Sequence, residues 1–258
     1  MKVFEKYARY YDLLYQDKDY AKEVGYIHQL LQRYAPGSQS VLELGCGTGV
    51  HACFLAELGY RIHGIDASEE MLRQAREHVV QRFPQCASQV TFQQGDIRNI
   101  RLGKQFDAIL SLFHVISYQT SNEDLRAVFE VIHHHLNPSG VCIFDFWYGP
   151  AVLTDRPVVR VKRLENEQNL VTRIAEPVMY LNQNLVEVNY EVLIEDKKTH
   201  RLEKLSETHK MRYLFYPELE YMLPYTGLKI AASLKWMDLH ANLGEDSWYG
   251  VLVVQKQG

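Results

Sequence analysis

Two rhythms of apolar and polar positions run along the chain, and one gives way to the other at Pro150. Up to Phe146, apolar strand-like runs alternate with segments of helical spacing. Strand runs begin at Val41, Arg61, Val90 and Phe106, and a fifth ends at Phe146. Helical spacing covers Asp19–Tyr34 until Ala35-Pro36-Gly37 breaks it. A second helix carries Val50, Phe54, Leu55 and Leu58. A third opens at Ser68-Glu69-Glu70-Met71-Leu72, with Ser68 as N-cap and Glu70 in the first turn. A fourth runs from Ser121 to Leu136 and stops at Asn137-Pro138-Ser139-Gly140. Strands separated by helices predict a parallel sheet.

Beyond Pro150, valine, tyrosine and threonine become frequent. Val158–Val161, Leu170–Glu176, Val178–Leu181, Leu185–Ile194 and Glu203–Phe215 read as strands, with Leu181-Asn182-Gln183-Asn184 as a hairpin turn. No helix separates these runs, so they are expected to pair antiparallel. Ala151–Tyr216 thus reads as an inserted β-layer over the mouth of a site. Pro217–Thr226 is then a helix ended by Gly227. Leu228–Met237 and Ser247–Gln255 close the sheet as a hairpin. No repeat, low-complexity tract or linker interrupts this order.

Composition narrows the class. The 258 residues can bury one substantial core, and 47% hydrophobic with 23% charged content is ordinary for a soluble globular chain. A formal net charge of −4 offers no basic field for nucleic acid or an anionic membrane. No apolar run reaches the ~18 residues that span a bilayer. The start, MKVFEKYARYYDLLY, lacks a basic head followed by an apolar stretch, so no signal peptide is expected. Cys46, Cys53, Cys86 and Cys142 form no C-x-x-C pair and read as reduced thiols, which points to the cytoplasm. His133-His134-His135 point in different directions on a helix, so no metal site is expected.

The chemistry concentrates in Val41–Ser68. A buried strand enters Gly45-Cys46-Gly47-Thr48-Gly49, a helix follows, and a second strand ends on Asp66. The glycines let backbone approach a ligand, and the Asp66 carboxylate suits the two hydroxyls of a ribose. The spacing is G-x-G-x-G, and Val50 stands where a dinucleotide site carries its third glycine. Glu43 is a poor neighbour for a pyrophosphate but a tolerable one for the cation S-adenosylmethionine. The stretch E-L-G-C-G-T-G resembles motif I of the class I S-adenosylmethionine-dependent methyltransferases. The fold this implies is α/β and Rossmann-like: a doubly wound, mostly parallel seven-stranded sheet, here with the inserted antiparallel β-layer. The resemblance covers Tyr7 to Trp147 in order, through Val90–Ile100, Phe106–Tyr118 and His134–Trp147. It implies S-adenosylmethionine as cofactor, Asp96 on the adenine amino group and Ile97 on its ring. The implied donor set is Tyr11, Tyr15, Glu43, Gly45, Cys46, Gly47, Thr48, Gly49, Asp66, Ala67, Met71, Gly95, Asp96, Ile97, Leu112 and Phe113. Residues 1–36 would form a helical cap, 37–150 the donor-binding core, 151–216 the layer over the acceptor and 217–258 the closing helix and hairpin.

The head of the chain is more specific. Tyr11, Asp12, Leu13, Tyr15, Lys18, Asp19 and Tyr20 resemble the N-terminal motif of the N,N-dimethyltransferases that act on nucleotide-linked amino sugars in macrolide biosynthesis. Gly47-Thr48-Gly49-Val50-His51 and Ser206–Phe215 are similar to their glycine turn and late strand. Two departures stand out. Their Glu-Pro-Trp-Trp is Asp145-Phe146-Trp147-Tyr148 here, and their Gly-Arg-Gly, which can serve the nucleotide phosphates, is Asp246-Ser247-Trp248. The resemblance implies Tyr15, Tyr118 and His209 at the reaction and Tyr118, Asp145, Trp147 and His209 around the acceptor. The expected reaction is methylation of an amine held by Tyr15 and Tyr118, driven by alignment with no obligatory strong base. A hydroxylated small metabolite is the alternative acceptor. An NAD(P)-dependent oxidoreductase and a non-catalytic binding protein are the other classes open. A monomer or homodimer with a small-molecule acceptor is expected.

Overall fold

The computed structural model describes residues 10–257; Tyr7, the rest of residues 1–9 and Gly258 lie outside the described residues. In chain order the elements are α1 (Tyr11–Leu14), α2 (Tyr20–Tyr34), β1 (Ser40–Leu44), α3 (Val50–Glu57), β2 (Arg61–Asp66), α4 (Glu69–Gln81), β3 (Val90–Gln94), β4 (Phe106–Ser111), α5 (Asn122–His135) and β5 (Leu136–Tyr148). They continue with α6 (Gly149–Thr154), β6 (Arg160–Glu165), β7 (Asn169–Tyr180), β8 (Leu185–Asp196), β9 (Leu202–Leu214), α7 (Tyr216–Met222), β10 (Leu228–Lys235) and β11 (Tyr249–Lys256).

Side-chain caps start the long helices where the sequence placed them. Asp19, Ser68 and Ser121 accept from the backbone N–H of Lys22, Met71 and Asp124 and so open α2, α4 and α5. The core sheet runs β3-β2-β1-β4-β5-β11-β10. Strands β1 to β5 are parallel, and β11 lies antiparallel between β5 and β10. Val41, Leu110 and Ile143 pack on one face with α2 and α3. Leu42, Leu44, Ile109 and Phe144 pack on the other with α5. Both faces are covered, which is why these strands read as continuous apolar runs. Each such side chain taken fully from water contributes about 1.5–3 kcal/mol.

Strands β6 to β9 form the antiparallel layer. It joins the core where Trp147 and Tyr148 of β5 pair with Tyr213 and Leu214 of β9. Pairing of β4 with β5 ends at Phe144, so β9 takes the edge that β4 vacates. One face of the layer packs Val171, Val192, Ile194 and Leu205 on Tyr11 and Leu14 of α1 and Met71 of α4. Lys162 clamps the end of α1 through the Leu14 carbonyl (2.9 Å) and Asp17 (2.6 Å).

Several boundaries differ from expectation. Val178–Leu181 is no separate strand, because β7 runs unbroken through Pro177. Proline is tolerated there because pairing with β6 stops at Ala175, leaving no ladder on that flank to want its missing N–H. The short helix α6 occupies the start of the expected layer, with Pro150 in its first turn. The first layer strand begins at Arg160 rather than Val158. The Asn137–Gly140 stop is absorbed into β5 as a register shift opposite Phe106 and Ala108. Among the described residues no helix is long and apolar enough to cross a membrane.

Candidate active site

A cavity of about 1290 Å³ opens at the C-terminal ends of the parallel strands, roofed by the β-layer and flanked by α1. It straddles β1 and β4, where the strand order reverses and open α/β sheets place their ligands.

The turn after β1 forms its floor. The backbone N–H groups of Gly45 and Cys46 both donate to the Ile65 carbonyl (2.7 and 3.0 Å), which ties the turn to β2. Gly47 N–H donates to Asp66 Oδ2 (2.9 Å), and Ser68 N–H to Asp66 Oδ1 (2.8 Å). Burial raises the Asp66 carboxyl against the pull of these backbone donors. Each oxygen keeps lone pairs for a further donor. Asp96 also lines the cavity, and its carboxylate is bonded through both oxygens to Arg98 (2.6–3.1 Å). That guanidinium holds Asp96 below the usual carboxylate range. Cys46, Thr48, Ala67, Met71, Ile97, Leu112 and Phe113 line the same space. Tyr11 and Tyr15 both meet Phe113 edge-on and tilt against each other there, with ring centroids 4.7–6.5 Å apart.

Three residues expected at the donor lie outside the lining. A Cβ on Gly49 would sit 2.6 Å from Phe92, and one on Gly95 would sit 2.7 Å from Ile100, so both serve close packing. Glu43 is buried beneath the turn. Burial and the nearby Asp66 push its carboxyl up to about 8. Its Oε2 has no hydrogen-bond partner among the described residues.

A polar cluster that the sequence reading did not assign to the site borders Glu43. His51 Nε2 is 2.8 Å from Glu23, its Nδ1 is 3.9 Å from Glu43, and Lys18 pairs with Glu23. Burial alone would raise Glu23, but the bonds from His51 and Lys18 outweigh it and hold the carboxyl low. Lys18, Tyr20, Glu23 and His51 all line the cavity. Their signal in the sequence was the K-D-Y of the head and the histidine after the glycine turn.

On the other side, Tyr118 lines the cavity and its hydroxyl meets His209 Nδ1 at 2.8 Å. Burial pushes this phenol well above its usual range, so it stays neutral. His209 Nε2 lies 3.3 Å from Glu207. His209 itself is buried behind Tyr118, packed edge-on to Tyr190, and does not reach the cavity surface. Asp145 is likewise no contact for an acceptor: it is fully buried, with both oxygens turned to His114. Trp147 does line the cavity, and its indole N–H is buried without a partner among the described residues. His114 lines it too, though the sequence reading passed over it.

Residues 41–140 match the family model described as a methyltransferase domain. The chain is 31% identical over 227 residues to the dTDP-3-amino-3,4,6-trideoxy-alpha-D-glucopyranose N,N-dimethyltransferase of Streptomyces venezuelae, covering 87% of this chain and 90% of that protein. It is 29% identical to the dTDP-3-amino-3,6-dideoxy-alpha-D-glucopyranose N,N-dimethyltransferase of Streptomyces fradiae, covering 86% and 84%. The crystal structure of Streptomyces venezuelae DesVI superposes with a TM-score of 0.80 at 26% identity, over 97% of this chain and 98% of that one.

This chain is a member of the S-adenosylmethionine-dependent methyltransferases.

The oxidoreductase and scaffold readings are thereby displaced. The methyltransferase's own residues fit the donor. Asp66 stands at the end of β2 for a ribose. The rings of Tyr11, Tyr15 and Phe113 at the cavity would suit a sulfonium. Lys18, Glu23 and His51, which line the cavity, offer both signs of charge to an amino acid's zwitterionic end.

Proposed function

We propose that this methyltransferase methylates the amine of a small amino sugar carried on a nucleotide. The observation that carries the reading is the likeness to two sugar N,N-dimethyltransferases over more than four-fifths of the chain, the acceptor side included. The donor belongs to the core of residues 37–150 and the acceptor to the face presented by the 151–216 layer. Two features of the cavity support this. Its volume of about 1290 Å³ exceeds the roughly 300–1,000 Å³ of a single-ligand pocket, as two ligands require. The guanidinium groups of Arg160 and Arg173 line it from the layer. They supply the cation for a diphosphate that the Asp246-Ser247-Trp248 stretch lacks.

Bound S-adenosylmethionine supplies a methyl group already activated on a sulfonium. The chain's task is to align the acceptor lone pair with that carbon and to exclude water, worth up to ~7–11 kcal/mol. Tyr15 and Tyr118 border the acceptor nitrogen and orient it by hydrogen bonds, Trp147 covers it, and His209 holds the Tyr118 hydroxyl in place. A sugar hydroxyl is the second reading. The hydrogen-bonded chain Tyr118–His209–Glu207 favours it, because an alcohol must lose its proton as it attacks. The test is turnover with donor and a panel of nucleotide-linked amino sugars, free amino sugars and their hydroxyl counterparts. The expected result is a mass gain of one or two methyl groups on the nucleotide-linked amines, with NMR placing the methyl on nitrogen. A methyl on oxygen would overturn the amine reading.

A further inference from the structure

The loop after β4 carries two consecutive non-glycine residues in the left-handed region, Phe113 at φ 64° and His114 at φ 65°. Such a conformation persists only where its surroundings over-determine it, and it gathers at working sites. Here the surroundings are one carboxylate. Asp145, near the C-terminal end of β5 and fully shielded from solvent, accepts the His114 backbone N–H on both oxygens (3.2 and 3.1 Å). Its Oδ2 also lies 2.5 Å from His114 Nδ1. The imidazole stacks on Tyr249 with centroids 4.2 Å apart and planes at 20°. A ring close to a carboxylate at one nitrogen and stacked on one face has a fixed orientation, although Nδ1 makes no well-aligned hydrogen bond among the described residues. With Nδ1 turned to the Asp145 carboxylate, Nε2 is the nitrogen left to act, and the ring lines the cavity beside Phe113 and Trp147.

We propose that His114, oriented by Asp145, is the catalytic proton acceptor that frees the acceptor's amine for methylation. This rests on the amine reading above. An amine with an ordinary pKa reaches the site as an ammonium. One N–H bond breaks, its proton passes to His114 Nε2, and the imidazolium so formed is balanced by the Asp145 carboxylate. The freed nitrogen lone pair forms the N–C bond as the C–S bond breaks, and the sulfur keeps the electron pair, so the donor leaves as the neutral thioether. The methylated ammonium loses its next proton by the same route when a second methyl follows, and His114 returns each proton to solvent. Among the described residues, the other charged and titratable groups near this stack include Tyr15 beside α1, Lys18 over the Phe113 ring, Glu23 on α2 and Arg160 on β6.

His114→Asn and His114→Gly test this. Both residues accept a left-handed backbone, and asparagine can still donate to Asp145. At neutral pH and saturating donor, His114→Asn is expected to lower kcat/KM roughly hundredfold, within the range for loss of a general base. The deficit should shrink as pH rises and free amine becomes abundant. Added imidazole is expected to restore several-fold activity to His114→Gly and none to wild type. Donor affinity by calorimetry should stay at the wild-type value in both variants. A pH profile parallel to wild type in His114→Asn, or no imidazole rescue of His114→Gly, would overturn the proposal and leave the dyad a purely structural clamp. Loss of donor affinity in both variants would do the same. The position of the methyl in the wild-type product tests the amine reading separately, so neither failure is mistaken for the other.

Discussion

Gly47 and Gly49 belong to one turn and share the left-handed region, at φ 54° and 71°, yet they face opposite ways. A Cβ on Gly47 would meet no protein atom within 4 Å, and Gly47 lines the cavity. A Cβ on Gly49 would lie 2.6 Å from Phe92 Cζ and 2.9 Å from Ala75 Cβ, inside the core. The two alanine variants should therefore fail differently. Gly47→Ala bears only the left-handed backbone cost of about 1–2 kcal/mol. At about 2–4 °C per kcal/mol for a chain near this size, its Tm falls by roughly 2–8 °C. The new methyl group occupies donor space, and donor affinity is expected to drop at least tenfold, about 1.4 kcal/mol. Gly47→Val should abolish binding. Gly49→Ala adds overpacking of about 1–3 kcal/mol, for a total near 2–5 kcal/mol. Its Tm falls further, while the folded fraction binds the donor with near wild-type affinity. Thermal melts without donor and calorimetric titration with S-adenosylmethionine at a temperature where both variants are folded separate the two. Gly47→Ala with wild-type donor affinity, or Gly49→Ala with full stability and no binding, would refute the assignment of one glycine to the ligand and the other to packing.

The remaining expectations follow the same logic. Tyr118→Phe removes one oriented hydrogen bond and should cost roughly tenfold in turnover. His209→Gln should cost less, and the double variant no more than Tyr118→Phe alone, because His209 acts through the Tyr118 hydroxyl; additive losses would refute that order. Arg160→Ala should raise KM for a nucleotide-linked acceptor roughly tenfold and leave KM for the free amino sugar unchanged, since an exposed cation lost from a diphosphate costs about 1.5 kcal/mol; equal effects on both would remove Arg160 from the phosphate. His78 Nε2 lies 2.7 Å from Asp12, and its Nδ1 meets the Thr48 carbonyl at 2.8 Å, pinning α1 to the glycine turn. Its hydrogen bond to Asp12 raises its pKa, against burial and the Arg82 charge. A raised histidine stabilises the fold fully below its unfolded value of about 6.5, and the contribution fades as pH climbs through the folded value. The Tm gap between wild type and His78→Gln should accordingly be widest near pH 6 and narrow by about pH 9; a gap that widens with pH would show the latch is not charged.

How legible the site was depended on how far its parts lie apart in sequence. Asp66 and the glycine turn sit within one strand–turn–helix–strand unit, and local spacing alone brought them together. The same spacing put Gly49, Gly95 and Glu43 in the expected donor set, and the structure leaves all three outside the cavity lining, because a motif fixes which residues lie near a turn but not which way each Cβ points. Asp145 and His209 were expected in contact with the acceptor, and each stands one layer behind a residue that lines the cavity. Their partners are 31 and 91 residues away along the chain, so only the paired register of β4, β5 and β9 reveals them. His114 lay within the loop expected to line the donor, but nothing in the sequence singled it out, because its left-handed backbone and its meeting with Asp145 show only in the fold. In the fold, helix starts were readable because Asp19, Ser68 and Ser121 cap through side chains. The merger at Pro177 was not, since a proline reads as a break unless the neighbouring strand is known to have ended.

The junction of layer and core explains why donor and acceptor chemistry can be coupled in so small a chain. β9 enters the sheet only over Trp147 and Tyr148, at the edge β4 leaves after Phe144. The loop that leaves β4 at that point carries Phe113 and His114 into the cavity and Tyr118 to His209 on β9. Asp145 on β5 holds the first half of the loop, while Ser117 binds the Trp147 backbone N–H at 3.0 Å and holds the second. A shift of β9 along β5 would therefore move the Tyr118 phenol relative to the His114 ring. Alignment chemistry tolerates little such movement, because the reacting atoms must meet at about 3–3.5 Å and in line. The two-residue parallel pairing is thus the place where the layer's position is converted into the geometry of the reaction.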